Sequence, residues 1–114
     1  MLVKTVADGE EIAALKPCLN AVEGGSAWRI SRGRPMENAL YALYVTSPQD
    51  RRDLLLNPDY IDLHVASEKE VAVYLNGACV GKGCEFDVTG LPLIGGVNLL
   101  LCHVKGKAAM PQIS

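Results

Sequence analysis

The dipeptide Asn76-Gly77 constrains the fold of this chain more than any other feature of its sequence. It joins two apolar runs, residues 71–75 and residues 78–81. Asn and Gly tolerate the two positive φ angles of a type I′ turn, so this connection predicts a β-hairpin. The prediction is specific, because the twist of a type I′ turn matches the twist of the strands that it joins.

A two-residue turn also fixes which residues of the two strands face each other. The expected pairs are Leu75 with Ala78, Tyr74 with Cys79, and Val73 with Val80. One face of the hairpin should therefore be the core face, and it carries Val71, Val73, Leu75, Ala78 and Val80.

Four further segments have the patterns of strands. Residues 60–67 place apolar and polar side chains alternately, which is typical of a half-solvated strand. Residues 38–47 and 97–104 are apolar on both faces, and the second is predicted to be a central strand. After a bend at Gly81 and Gly83, residues 84–89 predict a short strand, while residues 67–70 predict a polar turn.

Residues 8–16 favour a short helix that Asp8 caps and Pro17 ends. The fold class that follows is all-β, mainly antiparallel: a β-sandwich with one short N-terminal helix. We expect a single domain over residues 1–114. It divides into a helix and loop (1–27), a sandwich core (28–105) and a tail without periodicity (106–114).

Composition favours a protein that works with partners. The chain has 114 residues, of which 49% are hydrophobic and 5% aromatic, and its formal net charge is −2. This charge gives no general attraction to nucleic acid or to anionic membranes. A mean hydropathy of +0.15 indicates apolar surface covered by a protein partner or by self-assembly, although a core rich in Leu and Val accounts for part of it.

The sequence also bears on localisation. Its N-terminus lacks the pattern of a signal peptide, and no apolar run is long enough to span a bilayer, so we expect synthesis in the cytoplasm and no membrane insertion. Four cysteines without a secretory signal indicate free thiols, although oxidising conditions would allow two disulfides.

An ordered set of residues in the second half of the chain resembles a known family. The set comprises Tyr74, Asn76, Gly77, Val80, Gly81, Phe86, Asp87, Val88, Thr89, Gly96, Asn98 and Leu99. It is similar to the galactose-binding-like (jelly-roll) β-sandwich accessory domains of β-galactosidase-type and rhamnosidase-type glycoside hydrolases. The resemblance covers about residues 28 to 105. It implies a jelly-roll fold in which Asn76, Gly77, Phe86, Asp87, Thr89 and Asn98 serve the structure.

The candidate binding residues are few. Trp28 is the best stacking platform for a sugar, but packing or an interface anchor is the simpler interpretation; Tyr60 is a second aromatic candidate. Arg29, Arg32 and Arg34 form the one basic cluster, which would meet an acidic protein partner rather than nucleic acid.

Catalytic and metal-binding patterns are weak. The sequence contains no nucleophile elbow and no catalytic cysteine signature, so it predicts no enzyme. Cys79 and Cys84 have a spacing that zinc accepts, but Cys102 and His103 lie on opposite faces of one strand. We therefore predict buried free thiols, no metal site and no cofactor.

These observations favour a non-catalytic module that is a structural or attachment component of a larger assembly. A virion, with the chain as a bacteriophage capsid or tail accessory protein, is one such assembly. The alternative is a carbohydrate-binding module, free-standing or part of a glycoside hydrolase. It requires an exposed aromatic side chain at Trp28 or Tyr60 beside a polar face. A zinc-stabilised regulator would require three converging Cys or His side chains.

Overall fold

The computed structural model describes residues 2–6, 29–30, 34–47, 59–94 and 96–114. Every regular element in these ranges is a strand, and all the strand pairs are antiparallel. The strands are β1 (Leu2–Thr5), β2 (Arg29–Ile30), β3 (Met36–Ser47), β4 (Tyr60–Leu75), β5 (Ala78–Pro92), β6 (Gly96–Ala108) and β7 (Gln112–Ile113). The predicted all-β, antiparallel class is confirmed, whereas the helix predicted at residues 8–16 lies outside the described residues.

The strands form one sheet with the order β2-β1-β3-β6-β4-β5, and β7 pairs with β4 away from this path. β6 lies between β3 and β4, so the prediction of a central strand is confirmed. Its two faces are buried in different core clusters: Leu100 and Cys102 in one, Leu99 and Leu101 in the other. A strand with apolar side chains on both faces needs cover on both sides, and β6 has it.

The predicted hairpin is present at the turn between β4 and β5. Asn76 and Gly77 have φ angles of 50° and 90°, as a type I′ turn requires. Two of the three predicted strand pairs are present, but Val73 pairs with Gly81 instead of Val80, because one extra residue of β5 forms a bulge here. The prediction that Ala78 faces the core is wrong: it is exposed, on the outermost strand of the described sheet.

The hairpin folds over on itself. In a straight strand Gly81 and Phe86 would lie roughly 17 Å apart. A Cβ atom on Gly81 would instead collide with Cε2 of Phe86 and lie 2.9 Å from Cγ2 of Val88. The bend predicted near Gly81 and Gly83 is therefore present and reverses the direction of β5.

β4 bends at the same place. Ala66 pairs with Glu85 and Val71 with Gly83, so residues 67–70 of β4 face the single residue Cys84. The sequence predicted a polar turn between two strands at 67–70; these residues instead belong to one continuous strand. β4 thus has three more residues than β5 here, and residues 67–70 form the outside of the bend.

At the bend, β4 changes the strand with which it pairs on the side away from β5. Residues 71–75 pair with β6, whereas Val65 and Ala66 pair with β7. The tail, for which the sequence predicted no element, thus supplies the strand beside the first half of β4.

The two halves of the bent hairpin enclose one core. Leu63 and Val65, before the bend, belong to the same buried cluster as Val71 and Val73 after it. A second cluster, on the opposite face of β3 and β6, contains Val6, Leu40, Ala42, Leu99 and Leu101. In the described ranges, no helix is long and apolar enough to cross a membrane.

Candidate functional site

The first half of β4 and the second half of β5 present a polar surface to solvent. On β4 the exposed or half-exposed side chains alternate with the buried Leu63 and Val65. Strand register brings the β5 carboxylates beside them, since Glu85 pairs with Ala66 and Asp87 with His64. We call this surface the outer face; it consists of Tyr60, Asp62, His64, Glu85 and Asp87.

His64 is the centre of the outer face. Its Nδ1 lies 2.6 Å from Oδ1 of Asp87, and its Nε2 lies 3.8 Å from Oε1 of Glu85. The side chains are well solvated, with exposed fractions of 46% for His64, 70% for Asp87 and 74% for Glu85. Exposed pairs of this kind stabilise a fold by at most about 1 kcal/mol, so their main effect is on the surface charge.

Asp62 has a structural role on the same face. Its Oδ1 accepts a hydrogen bond of 2.9 Å from the backbone N–H of Gly90, which has a φ of 68°. Asp62 stands where the register between β4 and β5 slips, and the bond ties the two strands together across that irregularity. The outer face as a whole carries three carboxylates and one histidine, so it is acidic.

Exposed apolar residues lie at the end of the sheet where β4 begins, β5 ends and β6 begins. Tyr60 pairs with the exposed Pro92, and the backbone N–H of Leu93 donates to the carbonyl of Asp59 over 2.8 Å. The side chains have exposed fractions of 60% for Tyr60, 52% for Ile94 and 48% for Val97. We call Tyr60, Pro92, Ile94 and Val97 the apolar end.

Asn98 holds the apolar end in place. It is fully buried, and its Oδ1 accepts hydrogen bonds of 2.9 Å from the backbone N–H of Ile94 and from Nδ2 of Asn76. Its own Nδ2 donates to the carbonyls of Ile94 at 2.9 Å and Val45 at 3.3 Å. The segment that presents Ile94 is thus fixed to the hairpin turn and to β3.

A small cleft lies at the bend. It has a volume of about 260 Å³ and is lined by Ala66, Ser67, Glu68, Ala109, Met110 and Gln112. This volume is below the range of roughly 300–1,000 Å³ that is usual for small-molecule pockets. The cleft fits a single side chain of a partner better than a cofactor.

The residues singled out from the sequence lie in different places. Tyr60 and Arg34 are exposed, as a binding role requires. Arg29 lies on β2, but its side chain is outside the described part of the structure, as are Trp28 and Arg32.

The motif residues of the resemblance have mainly structural contacts. Asn76 and Asn98 bond to each other, and Oδ1 of Asn76 also accepts from the backbone N–H of Leu99 at 2.9 Å. Phe86 packs against the core. Asp87 contacts His64 through its carboxylate, and Thr89 is exposed on β5.

The prediction of buried free thiols is right for one of the three described cysteines and wrong for the other two. Cys102 is buried, and burial raises the pKa of its thiol to about 12; Cys79 and Cys84 are exposed free thiols. His103 pairs with Leu40, which belongs to the second core cluster, whereas Cys102 belongs to the first. The two neighbouring residues therefore lie on opposite faces of β6. Within the described ranges, no three His, Cys, Asp or Glu side chains are arranged to hold a metal ion.

Sequence reasoning missed most of this surface. It placed Asp62 and His64 outward but did not pair His64 with Asp87, because that pairing depends on the register beyond the bend. Ile94 lies in residues 90–96, a turn-rich link between two predicted strands, and Val97 is the first residue of the strand predicted at 97–104. No protein-family model, curated protein or solved structure matches the chain.

Proposed function

We propose that the chain is a non-catalytic structural or attachment module that joins a larger assembly through its apolar end. The observation that carries the proposal is the exposure of Tyr60, Ile94 and Val97, each about half or more, where β4 begins, β5 ends and β6 begins. Burial of apolar surface against a partner contributes about 25 cal/mol per Å², so such a group favours association. A virion is one assembly in which such a module would serve.

The surroundings of His64 support the non-catalytic part of the proposal. The His64–Asp87 pair resembles the base and orienting acid of a hydrolase, but both side chains are solvated on an open sheet face. Neither residue lines the cleft at the bend. Catalytic acids and bases generally work where water is excluded, and this pair does not have such surroundings.

The fold proposal is a galactose-binding-like β-sandwich. It is supported by the Asn76-Gly77 turn, by the buried Asn98 and by the way the bent hairpin encloses a core between its two halves. These are structural features, and one fold supports many functions.

The assembly proposal is tested by measuring solution mass by light scattering over a wide range of protein concentration. We expect oligomers that weaken when Ile94 and Val97 are replaced by Thr, which keeps the β-branched shape and removes apolar surface. Met110→Gln is the matched control, since it removes an exposed apolar side chain (37% exposed) that lines the cleft instead. Equal masses for the Ile94/Val97 variant and the unmodified protein would contradict the role of the apolar end.

Carbohydrate binding is the second candidate, and the exposed ring of Tyr60 favours it. The ring stands on the outer face with Asp62 and His64, the combination of an aromatic surface and polar groups that sugars bind. A glycan array followed by calorimetry tests it. Tyr60→Ala should abolish binding and Tyr60→Phe should retain it, with Trp28→Ala as a comparison. Binding that survives Tyr60→Ala would exclude this surface.

A further inference from the structure

β7 is attached to the molecule along one strand. Its two residues pair with Val65 and Ala66 of β4, and no other strand of the described sheet pairs with them. Ser114 extends this pairing: its backbone N–H donates to the carbonyl of His64 over 3.0 Å, and its carbonyl accepts from the N–H of His64 over 2.9 Å. β7 can therefore separate from β4 without breaking any other strand pair among the described residues.

The position that β7 occupies on β4 needs an apolar strand. Ile113 pairs with the fully buried Val65 and packs against the main core, and Pro111 is buried just before β7. Without β7, apolar core surface and unpaired backbone groups of β4 would face water, which is unfavourable. A strand with the same sequence restores both kinds of contact, and a second copy of the chain carries that strand.

The connection from β6 to β7 is short and loosely packed. It leaves the buried Ala108 at the end of β6 and reaches the buried Pro111, while Ala109 is half-exposed and Met110 is exposed. Ala109 and Met110 line the cleft of about 260 Å³ at the bend, so open space lies beside them. These two residues can change direction at little cost in packing, and short connections of this kind favour the exchange of strands between copies.

We infer that two copies of this chain exchange β7, with Ala109 and Met110 as the hinge. Residues 111–114 of each copy then pair with β4 of the other, and the contact is reciprocal and closed. The exchanged pair keeps the β4–β7 contacts of the single copy. Each copy's own β7 has a high effective concentration, so the exchanged form should increase with protein concentration. This contact does not use the apolar end, so the inference goes beyond the proposed function.

Two single-cysteine variants test the exchange. One carries Ala66→Cys and the other Gln112→Cys, both in a background with Cys18, Cys79 and Cys84 replaced by Ser. Ala66 lies opposite Gln112. Opposed residues of antiparallel strands have Cα atoms about 4.5–5.5 Å apart, a distance that a disulfide spans. We expect a concentrated mixture, oxidised mildly, to form at least about tenfold more covalent dimer than either variant alone, because exchange aligns the two thiols.

Three controls accompany this experiment. A chain with both Ala66→Cys and Gln112→Cys, oxidised when dilute, should form the disulfide within one copy and so verify the register. Thr89→Cys in place of Gln112→Cys puts the thiol on an exposed site of β5, where the mixture should give no excess of dimer. Four flexible residues inserted between Ala109 and Met110 lengthen the hinge and should lower the yield at least about threefold.

Each outcome decides the inference. Equal dimer yields with Gln112→Cys and Thr89→Cys, or a double variant that forms no internal disulfide, would overturn the exchange of β7. The replacement of Ile94 and Val97 by Thr should leave the yield of the mixed dimer unchanged. Loss of the mixed dimer, with oligomers that still depend on Ile94 and Val97, would overturn the exchange and leave the proposed function intact. The reverse result would support the exchange and overturn the role of the apolar end.

Discussion

Asn98 is the one buried polar residue in the described part of the chain. A buried amide is costly unless its donors and acceptor are paired. Asn98 meets this condition: its oxygen accepts two hydrogen bonds and its nitrogen donates two. Its partners belong to the hairpin turn, the segment before β6, and β3, so one side chain joins three parts of the fold.

Replacing Asn98 by Ala should therefore be strongly destabilising. The backbone N–H of Ile94 and Nδ2 of Asn76 would lose their acceptor, and we expect the free energy of unfolding to fall by about 2–4 kcal/mol. Urea denaturation measures the change. Asn76→Gly removes the side chain of Asn76 but keeps the positive φ of the turn. A double-mutant cycle with Asn98→Ala therefore isolates the hydrogen bond between the two Asn side chains. Additive effects would show that the two amides are not coupled.

Tyr41 differs from Asn98 in the hydrogen bonding of its buried polar group. It is 1% exposed in the main core, and its hydroxyl has no hydrogen-bond partner among the described residues. Burial also raises the pKa of this side chain, because the phenolate would be poorly solvated. Tyr41→Phe should thus stabilise the protein by about 1 kcal/mol, whereas loss of a bonded hydroxyl destabilises. A lower melting temperature for Tyr41→Phe would mean that the hydroxyl is bonded after all.

The buried thiol of Cys102 predicts a loss of stability in alkali. Its pKa of about 12 in the folded state exceeds the value of 9.0 for a free thiol. As pH rises, the unfolded chain releases this proton before the folded chain does. The stability that the buried thiol contributes is therefore complete below pH 9 and is lost as pH rises towards 12. Between pH 9 and pH 12 the free energy of unfolding should fall by up to about 1.4 kcal/mol per pH unit.

Denaturation at several pH values tests this effect. Cys102→Ala should be less stable at pH 7, since it leaves a cavity, but its stability should fall less steeply above pH 9. Cys79→Ala removes an exposed thiol and should keep the steep fall. Parallel curves for Cys102→Ala and the unmodified protein would exclude the buried thiol as the cause.

At the scale of the element, the bend in the hairpin depends on Gly81. The ring of Phe86 lies where a Cβ atom would be, so Gly81→Ala must displace that ring. We expect a cost of about 1–3 kcal/mol from overpacking, which Phe86→Leu should partly relieve. Gly77→Ala is the matched control: its φ is 90° and no atom lies within 4 Å, so Phe86→Leu should not relieve its cost. Failure of Phe86→Leu to relieve Gly81→Ala would contradict this packing.

Local patterns predict the strands better than they predict the bend. The alternation in residues 60–65, the apolar faces of β3 and β6, and the Asn76-Gly77 turn are each encoded by neighbouring residues. The polar residues 67–70 were interpreted as a turn because polar runs usually connect strands; here they extend β4 around a bend. That difference depends on Phe86 and Val88 packing against Gly81, a contact between residues that a straight strand would keep apart.

The candidate site was only partly predictable for the same reason. Tyr60 and Arg34 were identified as candidates from residue type, and both are exposed. The acidic outer face was not anticipated, because its carboxylates come from two strands whose register is set by the bulges between them. The apolar end depends on how Asn98 anchors Ile94, which no short motif indicates.

At the scale of the whole molecule, the two halves of the hairpin share one core. Leu63 and Val65 pack in the same cluster as Leu100 and Val104 of β6, although the first half of β4 does not pair with β6. The halves should therefore unfold in a single cooperative transition. β7 is the exception, because its two residues pair only with β4.

The structure thus predicts that β7 opens locally while the rest of the molecule stays folded. Ile113 packs against the core, and the backbone N–H of His64 donates to the carbonyl of Ser114 over 2.9 Å. Ile113→Ala weakens this packing, so the His64 amide should exchange its hydrogen at least about tenfold faster. The amides of β3 and β6, in the middle of the sheet, should keep their rates under native conditions. Hydrogen exchange followed by NMR measures both groups, with Gln112→Ala, an exposed change on the same strand, as the control. Equal acceleration at all these amides would instead make β7 part of the cooperative unit, and the acidic outer face would then depend on the tail for its stability.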